Sequence, residues 1–304
     1  MDIYLPIAEL SVNGAVIVAL GLLVGLMSGL FGVGGGFLTT PLLIFYGIPP
    51  AVAVASSAPQ VTGASFSGAL AHYRRGGVDI LLGSILVAGG IVGAGIGSVI
   101  FKFLQNMGQI DLAISLIYVF FLTLVGASML WETVGTLRRQ AAGQRQPRPN
   151  RRNLFAALPW KMRFRKAGLY ISPIAPFAIG LVVGILTFLM GIGGGLIMVP
   201  VLIYILGMAV TTVVGTSLFQ IVFTTAAITL LHAVQSKTVD IVLAALLLIG
   251  GVIGAQIGAR IAIQLPPTKL RLALAVLVLL VAGRLFFDLT IEPDNLFSVQ
   301  LEAS

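Results

Sequence analysis

The chain of 304 residues is 58% hydrophobic and only 9% charged, a balance that excludes a soluble globular protein and calls for several bilayer crossings of about 20 apolar residues each; one anchor or one cleaved leader cannot account for it. The absence of cysteine excludes a disulfide framework, a thiolate metal site and a thiol nucleophile. The net charge of +8 is local, because ten of the 18 basic residues fall between Arg138 and Lys166, where there is no acid, and this reads as a cytoplasmic connection rather than a nucleic-acid surface.

In chain order, residues 1–10 carry two acids and no base, and residues 12–31 form a first apolar segment ending in FGVGGG, Phe31 to Gly36. Glycine inside a helix is about 1 kcal/mol worse than alanine, so the run predicts a break followed by a shorter segment, Phe37 to Tyr46. Backbone groups freed in hydrocarbon are unfavourable by several kcal/mol unless protein or a polar cavity covers them, which makes the break a candidate site. Gly47-Ile48-Pro49-Pro50 predicts a turn. Spans are expected over 51–73, from about Asp79 to Phe101 and from about Ile110 to Trp131, with a loop over Lys102 to Gly108. From Glu132 to Tyr170 the composition becomes polar and rich in Gln, Arg and Pro, too charged to pack a core. Its later part, LFAALPWKMRFRK, suits either a short helix on an anionic leaflet or a plain connection.

The second half repeats the first. Gly34-Gly35-Gly36 and Pro41 recur as Gly193-Gly194-Gly195 and Pro200; Ser57, Gln60 and His72 as Ser217, Gln220 and His232; Asp79 as Asp240; and GGIVGAGIG, Gly89 to Gly97, as GGVIGAQIG, Gly250 to Gly258. The expected fold is therefore an all-α integral membrane protein with a transmembrane repeat over 1–137, a basic cytoplasmic linker over 138–170 and a second repeat over 171–304. Each repeat holds a Gly-broken helix, re-entrant or discontinuous, plus about three spanning helices. Two such repeats point to a transporter with its site at the repeat interface. A re-entrant hairpin over 12–47 makes the repeats inverted and a single kinked crossing makes them parallel. The tails favour inversion with both ends outside, since beyond Arg284 there is no Lys or Arg and both tails carry acids.

The short helix after each glycine run directs unpaired N–H groups and a positive dipole end at the break, an arrangement that suits an anion. The candidate substrate-binding residues are Gly34, Gly35, Gly36, Gly193, Gly194 and Gly195, with Ser57, Gln60, Ser217 and Gln220 one helix on, where hydroxyl and amide groups can donate to an oxyanion. The GGIVGAGIG and GGVIGAQIG glycines read as close helix packing, His72 and His232 as interfacial residues, and Asp79 and Asp240 as helix caps. No Asp, Glu, Lys or Arg falls in the middle of an expected span, against a proton pump or voltage sensor. The glycine runs lack the lysine of a P-loop. No catalytic residue, metal or cofactor is indicated.

GLMSGLFGVGGGFLTTPLL and GILTFLMGIGGGLIMVPVL, with Ser-x2-Gln about twenty residues after each, resemble the doubled signature of the sulfite exporter TauE/SafE family of bacterial membrane transporters, and the resemblance covers nearly the whole chain. It implies a multi-pass carrier in the bacterial inner membrane for sulfite or small organosulfur anions, an exporter by alternating access, with the proton gradient as a candidate coupling source and the lipid bilayer as its surroundings. An anion channel and, less favoured, a membrane-embedded hydrolase remain as alternatives.

Overall fold

In the computed structural model, residues 2–31, 34–141, 161–208, 210–262 and 267–290 are described, and the element order of the first half recurs in the second. A hairpin of β1 (Asp2–Leu5) and β2 (Leu10–Asn13) precedes α1 (Gly14–Phe31), the short α2 (Gly36–Phe45), α3 (Pro50–Arg74), α4 (Ile80–Asn106) and α5 (Ile110–Ala141). A second hairpin, β3 (Met162–Phe164) and β4 (Leu169–Ile171), precedes α6 (Ile174–Met190), the short α7 (Gly195–Tyr204), α8 (Val210–Leu231), α9 (Ile241–Ala262) and α10 (Pro267–Thr290). Between α8 and α9 the chain makes a π-helical turn, His232–Ser236.

Among the described residues, six helices are long and apolar enough to cross a membrane: α1, α4, α5, α8, α9 and α10. The 25-residue α3 has less apolar character because Ser56, Ser57, Gln60 and Ser65 interrupt it. Its polar residues are sheathed in protein, with every position from Ala51 to Ala58 buried, as polar groups at membrane depth require.

Where α1 and α2 begin and end decides the topology. Tyr46, just past α2, accepts at its hydroxyl from the Asn13 amide, just before α1, at 3.4 Å, so the pair enters and leaves at the same end of the bundle. The second half does likewise: Leu202 and Leu206, at the end of α7, share a core with Phe164, Ile171 and Ala175 around the start of α6. Two pairs of corresponding helices, α3 with α8 and α5 with α10, pack antiparallel. Thr62 of α3 bonds Thr225 of α8 (Oγ1···Oγ1 2.7 Å) while Gly68 lies beside Leu218 and His72 beside Gly215; in the same sense Gly126 of α5 lies beside Leu279 of α10, and Glu132 pairs with Arg271 at 3.9 Å.

The GGIVGAGIG repeats pack helices, as expected. A Cβ at Gly25 of α1 would overlap the Gly251 carbonyl of α9, and one at Gly184 of α6 would overlap the Gly90 carbonyl of α4, so side-by-side small residues bring these backbones together. Asp79 and Asp240 cap α4 and α9, accepting from Leu82 N (3.2 Å) and Leu243 N (3.1 Å). Each also reaches the other half. Asp240 Oδ2 accepts from Ile7 N in the first hairpin at 3.1 Å, and Asp79 Oδ2 from Ala167 N in the second at 2.9 Å. Asp240→Asn keeps one acceptor oxygen but loses the charge and the Ile7 bond, so it should lower stability by about 1.5–3 kcal/mol. Thermal unfolding in detergent would register this as a reduced Tm.

Three boundaries differ from the sequence expectation. α4 runs on to Asn106, shrinking the loop to the residues around Gly108. α5 continues past Trp131 to Ala141, because Thr133 and Thr136 bond back to the helix (2.7 and 2.9 Å) and Glu132 finds Arg271. In the later linker, Met162–Phe164 is a strand paired with Leu169–Ile171, neither an interfacial helix nor a plain connection, with Phe164 buried under the bundle end. Residues 142–160 of the linker lie outside the described residues.

Candidate functional site

The two glycine breaks meet inside the bundle. Gly34 (φ 91°) and Gly35 (φ 72°) in one, and Gly191 (66°), Gly193 (74°) and Gly194 (75°) in the other, occupy the left-handed region, where side chains other than glycine are strained. Gly36 abuts the Gly191 carbonyl and Ile192, so a Cβ on Gly36 would overlap both. Gly34 and Gly193 both face Val61 of α3 and Ile221 of α8, which are themselves corresponding residues of the two halves.

Gly36 and Gly195 open the ten-residue helices α2 and α7, whose N-cap glycines, Gly35 and Gly194, supply no side-chain cap. The first helical bonds run from Leu38 N to Gly35 O (3.0 Å) and from Ile197 N to Gly194 O (3.1 Å). The positive dipole ends thus lie at the breaks. The opposing carbonyls are covered: Met190 O accepts from the buried Tyr118 hydroxyl and from Thr40 Oγ1 (3.5 Å), and Gly191 O lies 3.4 Å from Ser57 Oγ. Hydroxyls thus take up these two carbonyls at the end of α6, while in the first break Gly36 N donates to Gly34 O at 2.9 Å. Two buried hydroxyls beside them lack hydrogen-bond partners. Ser65 Oγ lies 3.4 Å from the position a Cβ on Gly34 would take, and Thr187 Oγ1 3.1 Å from that on Gly194. An unsatisfied buried polar group is unfavourable by about 1–3 kcal/mol, so each break has one hydroxyl that a water or another polar group would satisfy.

Of the residues singled out in the sequence, the glycines and Ser57 converge. Ser57 Oγ also lies 2.8 Å from Val54 O and 3.1 Å from Thr40 Oγ1. Ser217 only bonds back along its own helix, to Val214 O at 3.0 Å. The glutamines stand one layer behind. Gln60 accepts from Thr39 Oγ1 (2.8 Å) in the first turn of α2 and rests on Gly251, whereas Gln220 donates to Thr224 Oγ1 (3.0 Å) against Gly90, its Oε1 without a partner. Sequence reasoning missed Thr39, Thr40 and Tyr118. The threonines directly follow the first glycine run and were findable there, but nothing local marks Tyr118, which arrives from α5.

The histidines depart from their expected interfacial place. His72 lies half-buried near the end of α3, but His232 is fully buried, stacked on Phe188 (ring centroids 3.9 Å) with Phe101 edge-on at 5.0 Å and its Nε2 3.2 Å from Phe188 O. The π-helical turn that starts at His232 swings this ring inward against the end of α6. These three rings pack together on the side of the second break that faces the chain tails. Their counterparts in the other repeat are Gly29 for Phe188, His72 for His232 and, because Phe101 belongs to the first half, Ala262 of the second half for Phe101.

A family described as sulfite exporter TauE/SafE matches residues 17–285. Similar proteins include a probable membrane transporter protein, YjnA, of Bacillus subtilis (strain 168), 32% identical over 267 residues that span 86% of this chain and 96% of the relative. A probable membrane transporter protein of Xylella fastidiosa (strain 9a5c) is 28% identical over 82% of this chain and 85% of its own, and YunE of Bacillus subtilis, likewise described as a probable membrane transporter protein, is 25% identical over 90% and 97%. No solved structure matches.

Proposed function

Because the chain belongs to the sulfite exporter TauE/SafE family of membrane transporters, we propose that it exports a small sulfur-containing oxyanion, sulfite or an organosulfonate, by alternating access of two inverted repeats. The observation that carries this reading is the meeting of two helix N-termini without side-chain caps at glycine breaks, beside Met190 and Gly191 carbonyls that accept from hydroxyls. A tetrahedral or pyramidal oxyanion presents several acceptor oxygens and no donor, which is the complement of such a site. The ligands are the backbone at Gly34, Gly35, Gly36, Gly193, Gly194 and Gly195 with Ser57. Gln60, Ser217 and Gln220 support the breaks from the flanking helices, where the Gln220 amide nitrogen donates to Thr224 Oγ1.

Inversion is supported by the antiparallel pairing of corresponding helices and by the return of α1–α2 and α6–α7 to their starting ends. Charge supports the orientation. Arg74, Arg75, Arg163, Arg165 and Arg260 gather at the linker end, whereas Lys102, Lys237 and Arg284 are the described cations at the other. In the bacterial inner membrane this puts the linker in the cytoplasm and both tails outside. A cysteine at Arg165 should then resist a membrane-impermeant thiol reagent in intact cells, and a cytoplasm-only reporter fused after Ser304 should stay dark. External labelling or a bright fusion would refute the orientation.

The ring cluster at the tail end argues for a carrier over an open channel, and neither Ser57 nor Ser217 has a histidine among its hydrogen-bond partners, which argues against a hydrolase. In proteoliposomes, flux of sulfite or a sulfonate should saturate and show counterflow, and an imposed pH gradient should drive it if protons are the coupling ion. Flux that stays linear in concentration without counterflow would instead indicate a channel, and no flux of any sulfur oxyanion would defeat the substrate assignment.

A further inference from the structure

A cleft of about 320 Å³ lies between α1, α3, α8 and α9 and is lined by Ser28, Ser67, His72, Gln256 and Arg260, with no acidic residue on its wall. Its inner end reaches the first glycine break, because Ser28 Oγ lies 3.3 Å from the position a Cβ on Gly35 would take. Its outer end is at the linker face, where α3 and α9 finish. Arg260 is exposed and, among the described residues, forms no ion pair.

The duplication supplies an internal control. At the equivalent place under the repeat, built like the cleft from both halves, Ser67 is replaced by Ala227, Gln256 by Gly95 and Arg260 by Val99, and the cleft's small residues Gly29 and Gly68 become Phe188 and Ile228, while Ser28 and His72 have polar counterparts in Thr187 and His232. The ring cluster of Phe101, Phe188 and His232 lies at that place. The same scaffold therefore carries an open wall with Ser67, Gln256 and Arg260 on one side and a filled one without their polar groups on the other, so the fold alone does not require those three.

We propose that this cleft is the cytoplasmic vestibule for the oxyanion, with Arg260 as the cation that recruits it and Gln256, Ser67 and Ser28 as successive donors along the path to the first break. The proposal rests on the transport reading above and extends it to the route of loading. A single guanidinium at the mouth of a cleft with low-dielectric walls raises the local concentration of anions. It also leaves the deeper site uncharged, so the anion is not trapped on an ion pair.

Since the chain has no cysteine, Ser67→Cys places a single, nearly isosteric thiol in the cleft. In solubilised protein, a sulfonate-bearing methanethiosulfonate should label it faster than the trimethylammonium-bearing reagent by roughly tenfold, after correction for each reagent's rate with a small thiol. Adding Arg260→Glu should reverse that preference. Equal corrected rates, or a preference that Arg260→Glu leaves unmoved, overturns the vestibule. In proteoliposomes Arg260→Gln should raise KM by roughly tenfold with kcat little changed; a wild-type KM overturns the role of Arg260 while leaving the transport reading intact. If the labelling preference holds but no sulfur oxyanion is transported, the transport reading fails and the anion vestibule stands.

Discussion

Valine at Gly35 or Gly194 is expected to abolish transport. Both positions cap the short helices with a positive φ, 72° and 75°, a conformation that is strained for any side chain and worst for a β-branched one. The new atoms also have nowhere to go: a Cβ at Gly194 would come 2.6 Å from Val183 Cγ1, and one at Gly35 3.0 Å from Ser28 Cβ. The first turn must shift, and the amides facing the break shift with it. Losing two hydrogen bonds to a charged ligand, each worth about 1.5–3 kcal/mol, corresponds to a drop in affinity of more than about 100-fold. Binding to the purified, monodisperse variant separates this from misfolding. Gly47→Ala is the matched control, since Gly47 has φ 93° but nothing within 4 Å of its Cβ position. A folded Val variant with wild-type affinity would make these glycines packing residues and move the site elsewhere.

The second large effect is expected at the ring cluster. Phe188→Gly with Phe101→Ala copies the counterparts Gly29 and Ala262 and removes two of the three rings clustered on the tail side. Each ring deletion should lower stability by about 3–5 kcal/mol if the space stays unfilled. What the double variant opens is read at Ile228→Cys, on a background where Ile228 is fully buried and should be silent to an impermeant reagent from outside. In the double variant that cysteine should label, and proteoliposomes should leak the anion without saturation. Silence at Ile228→Cys in a folded double variant would show that the rings are packing and that the path to the tail side lies elsewhere. His232→Phe, which keeps a ring in the stack, should remain sealed.

These expectations draw on the sequence and the tertiary structure in different measure. The breaks, the short helices after them and the caps at Asp79 and Asp240 were legible because each depends on local chemistry: glycine destabilises helix wherever it stands, and an acid before a helix satisfies its first amides. The duplication was legible because identical residues recur at nearly constant offsets. Helix lengths were less so. The run of α5 beyond the apolar stretch goes with the Thr133 and Thr136 back-bonds and the partner that Arg271 offers Glu132, and a short mixed window such as Met162–Phe164 becomes a strand only through Leu169–Ile171.

What the sequence by itself determined is that the chain is a polytopic helical membrane protein with two equivalent broken segments, since hydropathy, glycine runs and spacing act through nearest neighbours and the solvent. Only the tertiary structure decided that both breaks meet, that Gly36 touches Gly191, that Tyr118 covers the Met190 carbonyl and that His232 is buried in an aromatic stack while His72 lines an open cleft. The physical reason is distance along the chain. Contacts between residues more than seventy or a hundred and fifty positions apart are set by how helices pack across the bundle, and no local propensity carries that information.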